Sequence, residues 1–175
     1  MLLDLSEVFS NSDKTLKEKV TYEEDTFFYE STRYTWLTKP SASIEVKNGG
    51  KKRVSFDAHV SGLLEVPCDR CLIPTEVTFD FDVSEEIDLN QSSSDDKLQE
   101  ISQFISEDKR FDTQGFLDLE LFAHYPPKVL CKEDCKGLCK KCGKNLNDGA
   151  CSCNREELDP RMAKALEVFN QFKEV

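Results

Sequence analysis

Eight cysteines stand in this 175-residue chain, and six of them crowd into 23 residues near its C-terminus. They pair as Cys68 with Cys71, Cys131 with Cys135, Cys139 with Cys142, and Cys151 with Cys153. Short spacings let one turn offer two thiolates to one ion. Structural zinc takes four soft ligands in a tetrahedron, usually as two pairs from two segments. Four pairs are enough for one or two zinc ions. The opening Met1-Leu-Leu-Asp-Leu-Ser-Glu7 has neither a basic n-region nor an apolar h-region, so a cytoplasmic, reducing setting is expected. There, clustered cysteines bind metal or do redox work more readily than they build disulfides.

The strongest single piece is Cys139-Lys-Lys-Cys142-Gly143. It reads as a zinc-knuckle turn, in which glycine takes a positive φ and backbone amides reach the sulfurs. Cys151-Ser-Cys153 begins nine positions after Cys142, close enough to complete a compact site across the turn-rich residues 145–150. That leaves Cys68 and Cys71 to meet Cys131 and Cys135. Four other readings stay open: free structural cysteines, disulfides, iron–sulfur ligation, and a redox switch that holds zinc when reduced and releases it on oxidation, with Cys151 and Cys153 as the labile pair.

Charge divides the chain where the cysteine-rich segment starts. Residues 1–125 carry 13 basic and 26 acidic side chains, whereas residues 126–175 carry 10 and 8. The break falls at Tyr125-Pro126-Pro127, a natural helix stop. Two domains are therefore expected: a body over 1–125 with one helix at its end, and a cysteine-rich segment with a C-terminal helix over 126–175. A net charge of −11 excludes a globally basic nucleic-acid coat, and no apolar run reaches membrane-spanning length.

The body reads as β structure. Residues 26–37 are rich in β-branched and aromatic side chains, and Asn48-Gly49-Gly50 marks a turn before the next run. Val54, Phe56, Ala58 and Val60 share one strand face, as do Val77, Phe79, Phe81 and Val83. These two runs flank Cys68 and Cys71, so they predict a long antiparallel hairpin tipped by two thiols. Residues 90–96 predict a solvated loop, residues 101–106 a short strand, and residues 115–125 a helix packed on the sheet. A last helix is expected to start with Asp159 as N-cap and Pro160 at its first position, with Met162, Leu166, Phe169 and Phe172 on one face. The fold class is α+β: a curved antiparallel sheet or partial barrel, one or two packed helices, and a zinc-knuckle-like C-terminal segment.

Six lysines surround the clustered thiols. Lys136, Lys140, Lys141 and Lys144 form a small basic patch suited to RNA phosphates. They would equally offset the formal −2 of four thiolates around one zinc ion. His59 reads as a surface residue, and His124 as the end of a helix, with a spare zinc ligand as its alternative role. No nucleophile elbow, glycine-rich phosphate loop or H-E-x-x-H is present, so neither an enzyme nor a small-molecule substrate is expected.

The string Val66-Pro-Cys-Asp-Arg-Cys-Leu72 resembles the C-x-R-C-L element of the YceD-like family. Residues 130–153, with their G-L-C-x-x-C-G-x-N-L core, resemble that family's C-terminal segment, as do Asp159-Pro160-Arg161 and the opening residues. The resemblance implies a non-enzymatic factor in the accumulation or processing of large-subunit ribosomal RNA, binding that RNA or a pre-ribosomal particle. It also supports Cys68, Cys71, Cys131 and Cys135 as one site. A net charge of −11 then implies polarity. The lysine-bearing segment faces RNA, and the acidic body faces solvent or a basic ribosomal protein. A protein-only adaptor for such a basic partner is the alternative.

Overall fold

The computed structural model describes residues 1–51, 53–88, 99–153 and 160–171. The elements run β1 (Leu2–Asp4), α1 (Ser6–Ser10), β2 (Thr15–Thr21), β3 (Thr26–Tyr29), β4 (Thr32–Asn48), β5 (Arg53–Pro67) and β6 (Pro74–Asp88). After them come α2 (Gln99–Ser102), β7 (Arg110–Asp112), α3 (Thr113–Ala123) and α4 (Pro160–Gln171). One antiparallel sheet has the order β2-β4-β5-β6, with β3 also paired to β4, and a second joins β1 to β7.

Period-two alternation explains the long strands. Val54, Phe56, Ala58 and Val60 of β5 are fully or almost fully buried, and Val77 and Phe79 of β6 join them. Their neighbours along each strand point outward, giving the one-sided pattern of an antiparallel sheet that packs on a single core. The β5–β6 pairing runs without a register break from Arg53↔Asp88 to Pro67↔Pro74. The turn before β5 matches its sequence signal, with Gly50 at φ 77° and Lys51 at φ 52°. The aromatic run at residues 26–37 does not continue as one strand. It folds at Glu30, φ 52°, into the β3–β4 hairpin.

Curvature is set where β4 meets β5. The register shifts between Trp36 and Thr38 and again between Thr38 and Ser41. Pro40 sits in this irregular stretch, and the backbone of Gly62 passes so close that an added Cβ would meet Pro40 Cα at 3.1 Å. Bulges of this kind bend a strand and raise its twist. One edge of β4 therefore pairs first with β3 and then, beyond the bend, with β2. The sheet remains open, because β2 and β6 do not pair, so it does not close into a barrel.

Helix α3 closes the core. Asp112 caps it by accepting from the amides of Gln114 and Gly115 at 3.1 and 3.3 Å. Phe116, Leu117 and Leu121 are fully buried while Leu119 points out, which is helical spacing rather than strand alternation. Phe56, Phe111 and Phe116 meet with centroids 5.0 to 5.5 Å apart. Trp36, Phe27 and Phe79 form a second aromatic group.

The strand expected over residues 101–106 is not formed. Ile101 lies in the helical turn α2 and is buried there, and Phe104 and Ile105 turn back with amides on the carbonyls of Ile101 and Ser102. Burying Ile101 and packing Phe104 against Phe111 and Phe116 outweighs any weak strand preference. Only an isolated bridge, Ile105↔Phe111, has strand character. Helix α4 begins at Pro160 and leaves Met162, Leu166, Val168 and Phe169 exposed. The expected cap Asp159, the expected Phe172 and the expected loop at residues 90–96 lie outside the described residues. No described helix is long and apolar enough to cross a membrane.

Candidate metal centre

The β5–β6 ladder carries the first two thiols to the hairpin tip. There Cys68 N–H donates to the Ile73 carbonyl and Leu72 N–H to the Cys68 carbonyl, both at 2.9 Å. The two residues between the cysteines then clamp the C-terminal segment. Asp69 N–H donates to the Val129 carbonyl at 2.9 Å, and the Val129 N–H returns to Asp69 Oδ2 at 2.8 Å. Arg70 Nη1 donates to the Cys135 carbonyl at 2.7 Å, while its own carbonyl accepts from Leu138 N–H at 3.1 Å. The tip sequence Cys-Asp-Arg-Cys thus supplies two thiols and two docking side chains.

This docking assembles the first quartet: Cys68, Cys71, Cys131 and Cys135, with all four Sγ atoms within 4.8 Å of one another. The Cys68–Cys135 and Cys71–Cys131 separations are 3.8 and 3.5 Å. A tetrahedron with metal–sulfur arms of about 2.3 Å has edges of about 3.8 Å, so the donor set fits a zinc-sized ion. It does not fit a disulfide, and no two of the eight cysteines are joined in one. Three of these four cysteines are buried.

The second quartet is Cys139, Cys142, Cys151 and Cys153, to the same tolerance. Gly143, at φ 72°, returns its N–H to the Cys139 carbonyl at 2.8 Å, and Cys139 N–H reaches the Lys144 carbonyl at 2.8 Å. Lys144 Nζ then donates to the Ala150 carbonyl at 3.0 Å and draws the loop back toward Cys151. This quartet is more open: Cys139 is buried, Cys151 and Cys153 are half-buried and Cys142 is exposed.

Each quartet splits its thiols. At Cys68, burial pushes the thiol up, but the backbone amides of Cys131, Arg70 and Cys71 outweigh it and bring it down to about 6. The Asn147 amide, more than any other group, lowers Cys135. The Cys71 sulfur beside it, with burial, pushes Cys131 up to about 12. In the second quartet the amides of Cys142 and Lys141 hold Cys139 down to about 6, while the Cys142 sulfur and burial push Cys153 up to about 12. Four sulfurs this close cannot all carry charge alone, so some give up their protons at the expense of their neighbours. A divalent cation removes that conflict.

Lys136, Lys140, Lys141 and Lys144 are all exposed on this module. Lys144 is committed to the Ala150 carbonyl. Neither histidine belongs to a quartet. His59 faces outward against Asp82 at 2.8 Å, and His124 stacks on Phe81 with a centroid distance of 3.7 Å. Sequence reasoning left four contributors without a role: Asp69, Arg70, Gly137 and Asn147. Asn145 and Asn147 carried the signal of a side-chain-stabilised turn. Their sulfur target became visible only in the fold.

Gly137 has the narrowest tolerance. Its φ is 73°, and an added Cβ would lie 2.9 Å from the Arg70 carbonyl oxygen, a backbone atom. Gly137→Ala is expected to destabilise the docked segment by about 1–3 kcal/mol. The check is faster proteolytic cleavage within residues 126–153, and cleavage as slow as in the wild type would refute the close approach.

A family model described as large ribosomal RNA subunit accumulation protein YceD matches residues 56–169, which hold both quartets. Among individual relatives, a large ribosomal RNA subunit accumulation protein YCED homolog of Arabidopsis thaliana, chloroplastic, is 29% identical over 141 residues, 62% of this chain and 42% of that protein. The chain therefore spans under half of that relative's length. The uncharacterized protein YlbN of Bacillus subtilis is 25% identical over 162 residues, 90% of this chain and 92% of that one. An uncharacterized protein of Mycobacterium tuberculosis is 28% identical over 120 residues, 66% and 58% of the two chains. No solved structure matches. With well over half of its residues matched, cysteine strings included, the chain belongs to the YceD family of large ribosomal RNA subunit accumulation proteins.

Proposed function

We propose that this protein is a non-enzymatic ribosome-biogenesis factor acting in the cytoplasm, that each four-cysteine group holds one zinc ion, and that the zinc-bound module contacts large-subunit ribosomal RNA or a pre-ribosomal particle. The observation that carries this reading is the pair of four-thiol groups with tetrahedral-scale spacing, in a family described by ribosomal RNA accumulation. Zinc would be structural here, because all four protein ligands are thiols and none leaves room for substrate chemistry.

Electrostatics supports the orientation. The outer face of the β5–β6 hairpin exposes Asp57, Glu65, Glu76, Asp80, Asp82 and Glu86, and RNA phosphates would be repelled there. The module bears Lys136, Lys140 and Lys141 on its surface. Lys144 is left out of the test because its reversal would also disturb the loop. Changing Lys136, Lys140 and Lys141 together to Glu is expected to abolish ultraviolet cross-linking to defined large-subunit RNA positions in cells. In vitro it should flatten the log–log salt dependence of RNA retention by roughly 2, at about 0.7–0.9 per lost phosphate contact.

The acidic hairpin face favours one second reading, a protein-only adaptor that covers a basic ribosomal protein. Background RNA recovery from wild-type cross-linking, with ribosomal proteins still co-purifying, would select that reading. The lysines would then be counter-charges for the thiolate clusters.

A further inference from the structure

Residues 143–150 lie between Cys142 and Cys151 of the second quartet, yet one of their side chains, Asn147, reaches the first. Asn147 Nδ2 donates to Cys135 Sγ at 3.3 Å. It also donates to Asn145 Oδ1 at 2.9 Å. Asn147 Oδ1 accepts from Lys136 N–H at 2.9 Å, and Asn145 Oδ1 accepts from Asn147 N–H at 3.0 Å. Every polar atom of the Asn147 amide is used, and the reverse orientation would set an oxygen against sulfur and two donors against each other. Beside it, Leu146 N–H donates to the Gly137 carbonyl at 2.9 Å.

We propose that the two four-cysteine sites are coupled, with Asn147 as the positioning residue that links them. An ion in the outer site, bound through Cys142 and Cys151, pins both ends of this loop. The pinned loop delivers the Asn147 N–H to Cys135 Sγ and slows loss of the inner ion. The inference rests on the zinc reading above. Its physical basis is twofold. An N–H donor to a metal-bound thiolate draws off charge and stabilises the ligand, as other outer-shell partners do. Loop ordering supplied by the first ion need not be supplied again by the second, which is positive cooperativity. By linkage the inner ion must favour the outer one to the same degree. Exposure sets the order of loss, because Cys142 is open to solvent while Cys68, Cys71 and Cys135 are buried.

The test uses the full chain loaded with zinc, its stoichiometry measured by native mass spectrometry, and with cadmium-113 for one resonance per site. Cys142→Ser removes the outer ion. Asn147→Asp is isosteric, keeps an acceptor for Lys136 N–H and turns an acceptor toward Cys135. Each variant is expected to release the inner ion to a chromogenic chelator about tenfold faster than wild type. The double variant should be no faster than either single one. An inner-site rate unchanged in Cys142→Ser, or single effects that multiply in the double variant, overturns the coupling. If Asn147→Asp loses both ions, the coupling is judged on Cys142→Ser and Cys153→Ser, and inner-site rates equal to wild type in those two overturn it. A wild-type chain that binds no metal overturns the zinc reading and this proposal with it. Two ions released independently overturn this proposal alone.

Discussion

Serine in place of Cys135 is expected to leave the protein with one zinc ion instead of two and to free residues 126–138 from the hairpin tip. The hydroxyl is a poor zinc ligand, and the change also removes the sulfur acceptor of Asn147. The magnitudes decide which interaction holds the segment. Structural zinc in small cysteine sites contributes about 10–16 kcal/mol of apparent binding free energy at pH 7. The hydrogen bonds at Asp69 and Arg70 contribute about 0.5–1.5 kcal/mol each, somewhat more where charged. Without the ion, those bonds cannot order the segment alone. Native mass spectrometry counts the ions, and limited proteolysis reports the freed segment. Two ions and full protection in Cys135→Ser would sink the inner site. Chelation of the wild type should expose the same cleavage region while the circular dichroism of the sheet persists, since the aromatic core lies elsewhere.

Phe56→Ala carries the largest expected cost in the body, about 3–5 kcal/mol. Phe56 is fully buried, and its ring contacts Phe111 at 5.0 Å and Phe116 at 5.5 Å. It joins the centre of β5 to both the β7 strand and helix α3, so its loss leaves a cavity between layers. Domains of this size have a total stability of about 5–15 kcal/mol, so the midpoint in urea should fall by a large fraction. The unfolding slope should stay near the wild-type value. A loss below about 1 kcal/mol would mean that these three rings are not the organising core.

Much of this was legible in the residues. Strict alternation from Val54 to Val60 and from Val77 to Val83 has only one simple structural solution, a strand with one buried face. Two such strands around Cys68 and Cys71 imply a hairpin with thiols at its tip. The spacing within residues 131–153 separated a compact second group from the pair left for the tip, and the structure gathers the sulfurs in those same sets. Residues 101–106 misled, because a short apolar run does not distinguish a strand from a buried turn until its packing partners are known. The bend of β4 was hidden for a related reason. Pro40 marks an interruption, but only Gly62 on the neighbouring strand shows how tightly the bulge is packed.

Local pattern by itself determined strands β5 and β6, helix α3, the hairpin tip, the charge division near residue 125 and the identity of the thiols. Each depends on periodicity, turn chemistry or spacing within about twenty residues. Only the tertiary structure decided how far the sheet closes, where the tip receives the C-terminal segment, and what Asp69, Arg70, Gly137 and Asn147 do. The Asp69–Val129 and Arg70–Cys135 bonds join residues 60 and 65 apart, and a hydrogen bond at that separation leaves no period in the sequence. It forms where the β5–β6 hairpin tip and the segment after α3 meet and gather four thiols.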